Sequence, residues 1–335
     1  MKTGKIPPKI LKKTVYPFLG EKRSEVLVHS GFGEDCCVID FGDYVAVASS
    51  DPITGADTEG GYFSVFVACN DVAACGAKPV GILITLLLPE GSSESMLLKI
   101  MESIDRACRE IGIEVLGGHT EVTPAVTKPV ISATAIGMAK KDGFVTSAGA
   151  KPGDDIIVTK YIGLEGTAIL ALDFEKFLRE KLPEETVKKA QSLVKNISVI
   201  EDGLTASAIG VSAMHDITEG GLLGAIWEIT EASGVGAEIY ADRIPILPET
   251  QAICQVFEID PLALISSGSM LICTSKGQEV VKALKEKSIP ATIIGSVTSN
   301  GRYILKSGQK FPITPPERDE LYRAIEKGKT SMQKK

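Results

Sequence analysis

The sequence predicts a two-domain α/β protein of the α+β kind, with a mixed sheet and helices in each half. Its 335 residues exceed the usual size of one hydrophobic core. Strand-like and helix-like segments alternate along the chain, and residues 139–153 between the halves have the Gly, Lys and Asp content of a linker. The predicted segments are an N-terminal extension (1–24), a first domain (25–148), a second domain (149–317) and a charged C-terminal helix and tail (318–335).

Hydrophobic periodicity places the elements of the first half. An apolar strand from Tyr44 to Ala48 is expected to end at Asp51 and Pro52, because proline cannot donate to a ladder. Residues 61–77 carry apolar side chains at helical spacing and predict a buried helix that closes at Gly76. The continuous apolar run 79–89 predicts a strand buried on both faces. The other predicted elements are a helix at 93–112 and strands at 113–116 and 130–138.

The second half shows the same alternation and predicts another α/β layer. Its predicted strands cover residues 155–159, 237–240, 270–273 and 291–296. Its predicted helices cover residues 166–172, 184–196 and 222–233.

Composition excludes several classes of protein. A net charge of -7 argues against a broad nucleic-acid surface, which needs clustered Lys and Arg. The seven cysteines are odd in number and form no C-x-x-C pair, so we expect reduced core residues. The basic start lacks the apolar region of a secretory signal, and no apolar run is long enough to cross a membrane. We expect a cytoplasmic protein with no nucleic-acid or membrane partner.

The usual phosphate-binding loops are missing from the sequence. No G-x-x-x-x-G-K-[ST] occurs, and no G-x-G-x-x-G follows a predicted strand. A bound nucleotide would therefore depend on a metal ion held by carboxylates, and magnesium suits a few carboxylates combined with water and phosphate oxygens. The candidates in the first half are Asp35, Asp51 and Asp71.

Asp71 is the most informative of the three, because an ionised carboxylate on an apolar helix is costly without a cation or donors. The alternative is that Asp71 forms hydrogen bonds with the backbone of a neighbouring turn. Asp51 before proline and Asp35 in Gly33-Glu34-Asp35 are equally consistent with ordinary turn residues.

Three further segments carry candidate residues. The paired glycines Gly117 and Gly118 follow a predicted strand and allow close approach to a ligand, which places His119 in a loop facing that ligand or solvent. Asp216 and Glu219 have the spacing of a capping box, and the same helix N-terminus suits phosphate or metal. Lys160 could pair with phosphate or be an exposed loop lysine.

In this order, the segments resemble the superfamily of aminoimidazole ribonucleotide synthetase, thiamine-monophosphate kinase, selenophosphate synthetase and the hydrogenase-maturation carbamoyl dehydratase. Residues 33–39 resemble its Gly-Asp-Asp-Ala-Ala segment, and Ser50-Asp51 its strand-end aspartate. Asn70 to Ala73, followed by Gly76 to Pro79, resembles its helix-to-strand signature. Resemblance to the carbamoyl dehydratase in particular lies in residues 214–222, 231–236, 244–245 and 294–295. The similarity extends from about residue 25 to residue 306.

The resemblance implies a homodimer whose N-terminal sheets join into a barrel, with ATP and Mg²⁺ bound in the cleft between domains and subunits. The implied metal ligands are Asp35, Asp51, Asp71, Asp216 and Glu219. The implied ATP-binding residues are Gly33, Asp35, Asp51, Asn70, Gly117, Gly118 and Thr120, and the implied catalytic residues are Asp71, His119 and Lys160. The shared chemistry is phosphoryl transfer from ATP to an amide-type oxygen or to another small substrate.

This sequence departs from the expected pattern in three places. The smallest is that Cys36 and Cys37 follow Asp35 where the family has two alanines. The carbamoyl dehydratase ends in a tail whose cysteine carries the reacting group, whereas no cysteine follows Cys273 here. Residues 266–269 replace an acidic Glu-Gly-Lys type segment. The leading hypothesis is an ATP-dependent enzyme acting on a small or carrier-bound amide, with a maturation protein as a candidate partner. The alternatives are a non-catalytic nucleotide-binding partner subunit and a small-molecule kinase of the thiamine-monophosphate type.

Overall fold

The computed structural model describes residues 4, 6, 8–31, 33–53 and 59–333, with side chains to residue 330. Residues 1–3, 5 and 7 of the predicted extension and residues 334–335 of the tail lie outside the described residues. A short helix, α1 (Pro8–Thr14), precedes the first sheet. In the described part of the chain, no helix is long and apolar enough to cross a membrane.

The first domain is built on one mixed sheet. Its strands are β1 (Val26–Val28), β2 (Cys37–Asp40), β3 (Tyr44–Ile53), β4 (Lys78–Leu88), β5 (Glu114–Val122) and β6 (Val130–Lys140). They lie in the order β1-β2-β3-β6-β4-β5, with β4 and β5 parallel. Helix α2 (Gly60–Ala74) packs on β3 and β6, and α3 (Glu94–Ile111) packs on α2. Because α2 is rich in small and apolar residues, it is buried along nearly its whole length.

A second mixed sheet forms the second domain. Its strands are β7 (Asp155–Thr159), β8 (Ala213–Asp216), β9 (Gly236–Tyr240), β10 (Met270–Thr274), β11 (Ala291–Thr298), β12 (Arg302–Lys306) and β13 (Gln309–Pro312). They lie in the order β13-β12-β9-β11-β7-β10-β8, and only the β9–β12 pair among them is parallel.

Helices surround the second sheet and continue to the C-terminus. They are α4 (Leu164–Asp173), α5 (Glu175–Arg179), α6 (Glu184–Ser192), α7 (Ile200–Ile209), α8 (Gly221–Ser233), α9 (Pro248–Phe257), α10 (Gly277–Glu286) and α11 (Glu320–Gln333). Helix α2 of the first domain contacts α7 and β8 of the second, so this buried helix lies at the domain junction.

The predicted fold class is confirmed, since both halves are α/β layers around mixed sheets. The first sheet of the single chain is open among the described residues, and its closure into a barrel on dimerisation stays a prediction. The predicted domain boundaries also stay a prediction.

The predicted end of β3 at Pro52 is wrong. The strand continues to Ile53, with Asp51 opposite Ala133 and Pro52 opposite Ser132 of β6. Strand β2 accompanies β3 only as far as Ala48. Beyond that point β3 is paired on one side, where a missing N–H is tolerated.

Two other predictions about the first sheet need correction. Strand β5 runs through Gly117 to Glu121, so His119 lies on a strand and not in a loop. Strand β4 alternates between buried and exposed residues instead of being buried on both faces. Its outward side chains include Val80 and Leu83, because α2 and α3 cover only one face of this sheet.

Candidate metal and phosphate site

Three carboxylates meet where the two domains join. Asp35 lies two residues before the start of β2, Asp71 lies in α2 and Asp216 ends β8. One ligand oxygen from each lies within 4.8 Å of the other two. Two of these residues come from the first domain and one from the second, so the group forms only when the domains are packed together.

Burial makes this cluster electrostatically unfavourable on its own. Asp71 is 5% exposed and Asp216 is 1% exposed. Burial, followed by the charges of Asp216, Asp51 and Asp35, raises the pKa of Asp71 well above its usual range. Burial, and then the charge of Asp35, raises the pKa of Asp216 to about 7. Without a cation, this cluster therefore favours bound protons over full ionisation.

The donor set fits a divalent cation of the magnesium type. Asp216 Oδ2 is buried and has no hydrogen-bond donor among the described residues. A buried acceptor without a donor is costly, and an adjacent cation would compensate it. Magnesium prefers a small number of carboxylates together with oxygen atoms of water or phosphate. Asp35, Asp71 and Asp216 are the residues that would hold such an ion.

Ser49, which the sequence did not single out, orients Asp71. Its hydroxyl donates to Asp71 Oδ2 at 2.5 Å and lies 3.5 Å from Asp51 Oδ2. Ser49 and Asp51 are both on β3, two residues apart, and so project from the same face of the sheet. Asp51 thus lies beside the three-carboxylate group, and Asp71 bonds a side chain rather than a neighbouring turn.

His215 is a second residue that sequence reasoning missed. Its Nδ1 lies 2.6 Å from Asp35 Oδ2 and its Nε2 lies 3.0 Å from Glu228 Oε2. Ser147 Oγ also lies 3.2 Å from Nδ1. Burial lowers the pKa of His215, but Asp35 and then Glu228 outweigh it and raise the pKa well above its usual value. The available signal was a histidine inside an apolar strand, directly before the candidate ligand Asp216.

Two predicted residues use their polar groups inside the protein. Asn70 is fully buried, donates to the carbonyl of Ile197 at 2.7 Å and accepts from the N–H of Val199 at 2.8 Å. Lys160 Nζ forms an ion pair with Asp202 at 2.9 Å and donates to the carbonyls of Ser198 and Gly268. The structure therefore places Asn70 in contact with the second domain and Lys160 in an internal ion pair.

Two of the predicted glycines, Gly33 and Gly118, lie close to the backbone of other segments. At Gly33, with φ +79°, an added Cβ would lie 3.1 Å from the carbonyl oxygen of Glu228 in α8. At Gly118 it would lie 1.8 Å from the carbonyl oxygen of Ile84 in β4. Close approach is thus required at both positions, and in each case the neighbour is another backbone segment.

Other predicted residues lie outside the three-carboxylate group. His119 is on the exposed strand β5, with Nε2 3.1 Å from Glu121 Oε2, and Thr120 is exposed next to it. Glu219 is partly buried in the loop between β8 and α8. The capping-box prediction is wrong, because Asp216 is in β8 and α8 begins after the N-cap Gly220 without a side-chain cap.

Fold and site together define a two-domain α/β protein with a buried carboxylate cluster between its domains. The chain belongs to the AIR synthase related protein family, whose N-terminal domain model matches residues 33–139 and whose C-terminal domain model matches residues 151–307. This confirms the family expected from the sequence motifs.

Named relatives share most of this chain. A putative hydrogenase expression/formation protein of Methanocaldococcus jannaschii is 31% identical over 316 residues, which cover 90% of each chain. Carbamoyl dehydratase HypE of Cupriavidus necator is 32% identical over 257 residues, which cover 75% of this chain and 71% of the relative. The second name is that of an enzyme, so the expected membership of an enzyme family is confirmed.

Solved structures show the same fold. A chain of the HypE–HypF complex superposes with a TM-score of 0.75 at 22% identity, covering 91% of this chain and 99% of that one. The hydrogenase maturation protein HypE in complex with ATP superposes with a TM-score of 0.66 at 23% identity, covering 94% and 93%.

Proposed function

We propose that this protein is an ATP-dependent enzyme that activates a carbamoyl or amide oxygen by phosphorylation. The observation that carries the proposal is the convergence of Asp35, Asp71 and Asp216 within 4.8 Å at the domain junction. Such a cluster suits the magnesium ion that accompanies ATP, and that ion would supply charge neutralisation for the phosphates.

The comparisons support both the proposed carbamoyl substrate and the proposed use of ATP. One relative is named a carbamoyl dehydratase, and one structural neighbour was solved with ATP. The three carboxylates lie within the matched ranges, Asp35 and Asp71 in residues 33–139 and Asp216 in residues 151–307.

The reaction proposed is a dehydration driven by ATP. The amide oxygen attacks the γ-phosphorus, the bond to the β,γ-bridging oxygen breaks, and ADP leaves. One nitrogen proton is lost as the O-phosphorylated intermediate forms. Loss of inorganic phosphate together with the second nitrogen proton then gives a nitrile. The original amide oxygen ends in inorganic phosphate. In this scheme Asp35, Asp71 and Asp216 would hold the metal ion that accompanies the phosphates, with Asp51 beside them and Glu219 approaching from the second domain.

The cysteines of the chain favour a substrate carried elsewhere. All seven are free thiols, and all except Cys37 are buried. Burial raises the pKa of Cys69 and of Cys254 to about 12, which leaves these sulfurs protonated at neutral pH. We therefore propose that the carbamoyl group arrives on a small molecule or on a separate carrier, in keeping with a maturation partner protein.

We also propose that the protein acts in the cytoplasm as a homodimer. The face of the first sheet that α2 and α3 leave uncovered carries several large exposed apolar side chains. They are Tyr44, Val80, Leu83, Leu116 and Met138. A second copy of this sheet would cover them, and His119 and Thr120 on the exposed strand β5 would then lie near the subunit interface.

The function is tested by following the amide oxygen. Purified protein is incubated with Mg-ATP and S-carbamoyl-cysteine peptides or simple primary amides labelled with ¹⁸O, and inorganic phosphate is analysed by mass spectrometry. We expect ¹⁸O in phosphate, released in equal amount with ADP and lost in Asp71→Asn. Label retained in a phosphorylated product would establish a kinase instead. ADP without labelled phosphate for any amide would reject the proposed dehydration.

A further inference from the structure

His215 connects a predicted metal ligand to the second domain through both nitrogens of its ring. Nδ1 meets Asp35 Oδ2 at 2.6 Å, whereas Nε2 meets Glu228 Oε2 on α8 at 3.0 Å. The ring is 2% exposed, so water does not compete for these contacts. The contact with His215 uses Oδ2 of Asp35. The other carboxylate oxygen of Asp35, Oδ1, is the second acceptor of this side chain.

Residues 33–36, the segment that carries Asp35, belong to no helix or strand. Asp35 precedes β2 and lies outside any helix or strand. Gly33, two residues earlier, fits closely against the backbone of Glu228 on α8. The backbone of this segment therefore lies against α8 at Gly33, and His215 holds the carboxylate of Asp35 itself.

We propose that His215 is a positioning residue, which holds Asp35 through Nδ1 in the orientation that binds the divalent cation. This inference rests on the proposed metal site and deepens it, because it makes metal affinity depend on a residue of the second domain. Hydrogen bonds that fix ligating carboxylates commonly change metal affinity by about 10–100-fold when they are removed.

Two substitutions, each of which keeps one of the two ring contacts, separate this role from general packing. The amide nitrogen of Asn occupies about the position of Nδ1, so His215→Asn keeps a donor towards Asp35. The amide of Gln reaches about the position of Nε2, so His215→Gln keeps the contact with Glu228 and loses the one with Asp35. The side chains of Asn and Gln are both uncharged. Any effect of losing the imidazolium charge is therefore the same in the two variants.

The measurement is Mn²⁺ binding in the absence of nucleotide, by calorimetry or electron paramagnetic resonance, alongside thermal unfolding of each variant. We expect His215→Gln to weaken Mn²⁺ about 10–100-fold relative to His215→Asn. Equal Mn²⁺ affinity in the two variants would overturn the role of Nδ1. This holds also if both variants unfold at a lower temperature than the native protein. Native protein that binds no Mn²⁺ would reject the metal site itself, which distinguishes failure of the proposed function from failure of this inference.

Discussion

Asn70 accepts a 2.8 Å hydrogen bond from the backbone N–H of Val199, and this bond crosses from the first domain to the second. The same amide donates to the carbonyl of Ile197 at 2.7 Å. Asn70 precedes Asp71 in α2, so the contact that joins the domains is adjacent to a carboxylate that the joined domains bring together.

Asn70→Ala should destabilise the protein, because it leaves a buried N–H and a buried carbonyl without partners. The expected loss is about 2–4 kcal/mol in the free energy of unfolding, measured by urea denaturation. Asn196→Ala, at an exposed asparagine in the same region, is the control and should have little effect. An Asn70 variant as stable as the control would contradict the interdomain role.

Gly118→Ala should disrupt the pairing of β5 with β4. An added Cβ would lie 1.8 Å from the carbonyl oxygen of Ile84, at a backbone φ of +144°. We expect a loss of more than about 3 kcal/mol of stability. Gly117→Ala is the matched control, since its Cβ would meet nothing closer than 3.7 Å. Thermal melts that rank Gly117→Ala as the more damaging change would reject this account of the paired glycines.

Glu165 should make stability fall as pH rises. It is 4% exposed, and burial raises its pKa from 4.5 to about 7, against the hydrogen bond that it accepts from the N–H of Ser267. A raised pKa in the folded state stabilises the protein below pH 4.5, and this contribution is lost as pH rises through 7. The loss is about 3 kcal/mol, from 1.36 kcal/mol for each pKa unit.

Glu165→Gln removes that titration without changing the side-chain shape. Urea midpoints compared at pH 5 and pH 8 should therefore differ less in this variant than in the native protein. Glu286→Gln, at an exposed glutamate of α10, should leave the native pH dependence intact. An unchanged pH slope in Glu165→Gln would show that Glu165 does not titrate in this range.

Leu83→Lys should convert the proposed homodimer into a monomer. Leu83 is 39% exposed on the open face of the first sheet, where a lysine would place a charge inside the proposed interface. Light scattering with size-exclusion chromatography should report about twice the chain mass of 35.5 kDa for native protein, and a single chain for the variant. Leu98→Lys, at an exposed leucine of α3, is the control and should remain dimeric. A native monomer would reject the dimer.

Sequence patterns predicted the elements well where local chemistry determines them. The apolar run of α2 and the strand Asp155–Thr159 were placed closely, because burial leaves a continuous hydrophobic signal. The end of β3 was misplaced because the effect of Pro52 depends on whether the strand pairs on one side or on both. That pairing is determined by the tertiary structure. The length of β5 was underestimated because Gly117 and Gly118, which suggested a loop, belong to the strand and pair with β4.

The candidate site was predictable in part for a similar reason. Asp71 stood out as a charge on an apolar helix, and its neighbours Asp35 and Asp216 were named as candidates, though only folding brings the three together. His215 and Ser49 carried no strong signal, since their importance lies in the atoms that they face across the junction. Lys160 looked available for phosphate, but its partners at Ser198, Asp202 and Gly268 are distant in sequence.

The most direct test of the central claim is a calorimetric titration with ATP, with and without Mg²⁺, on native protein and on Asp71→Asn. Asp43→Asn, at an exposed aspartate in the turn before β3, is the control and should behave as native protein. We predict Mg²⁺-dependent ATP binding that is lost in Asp71→Asn. Binding that does not depend on Mg²⁺, or that survives in Asp71→Asn, would contradict a metal–phosphate site at the three carboxylates.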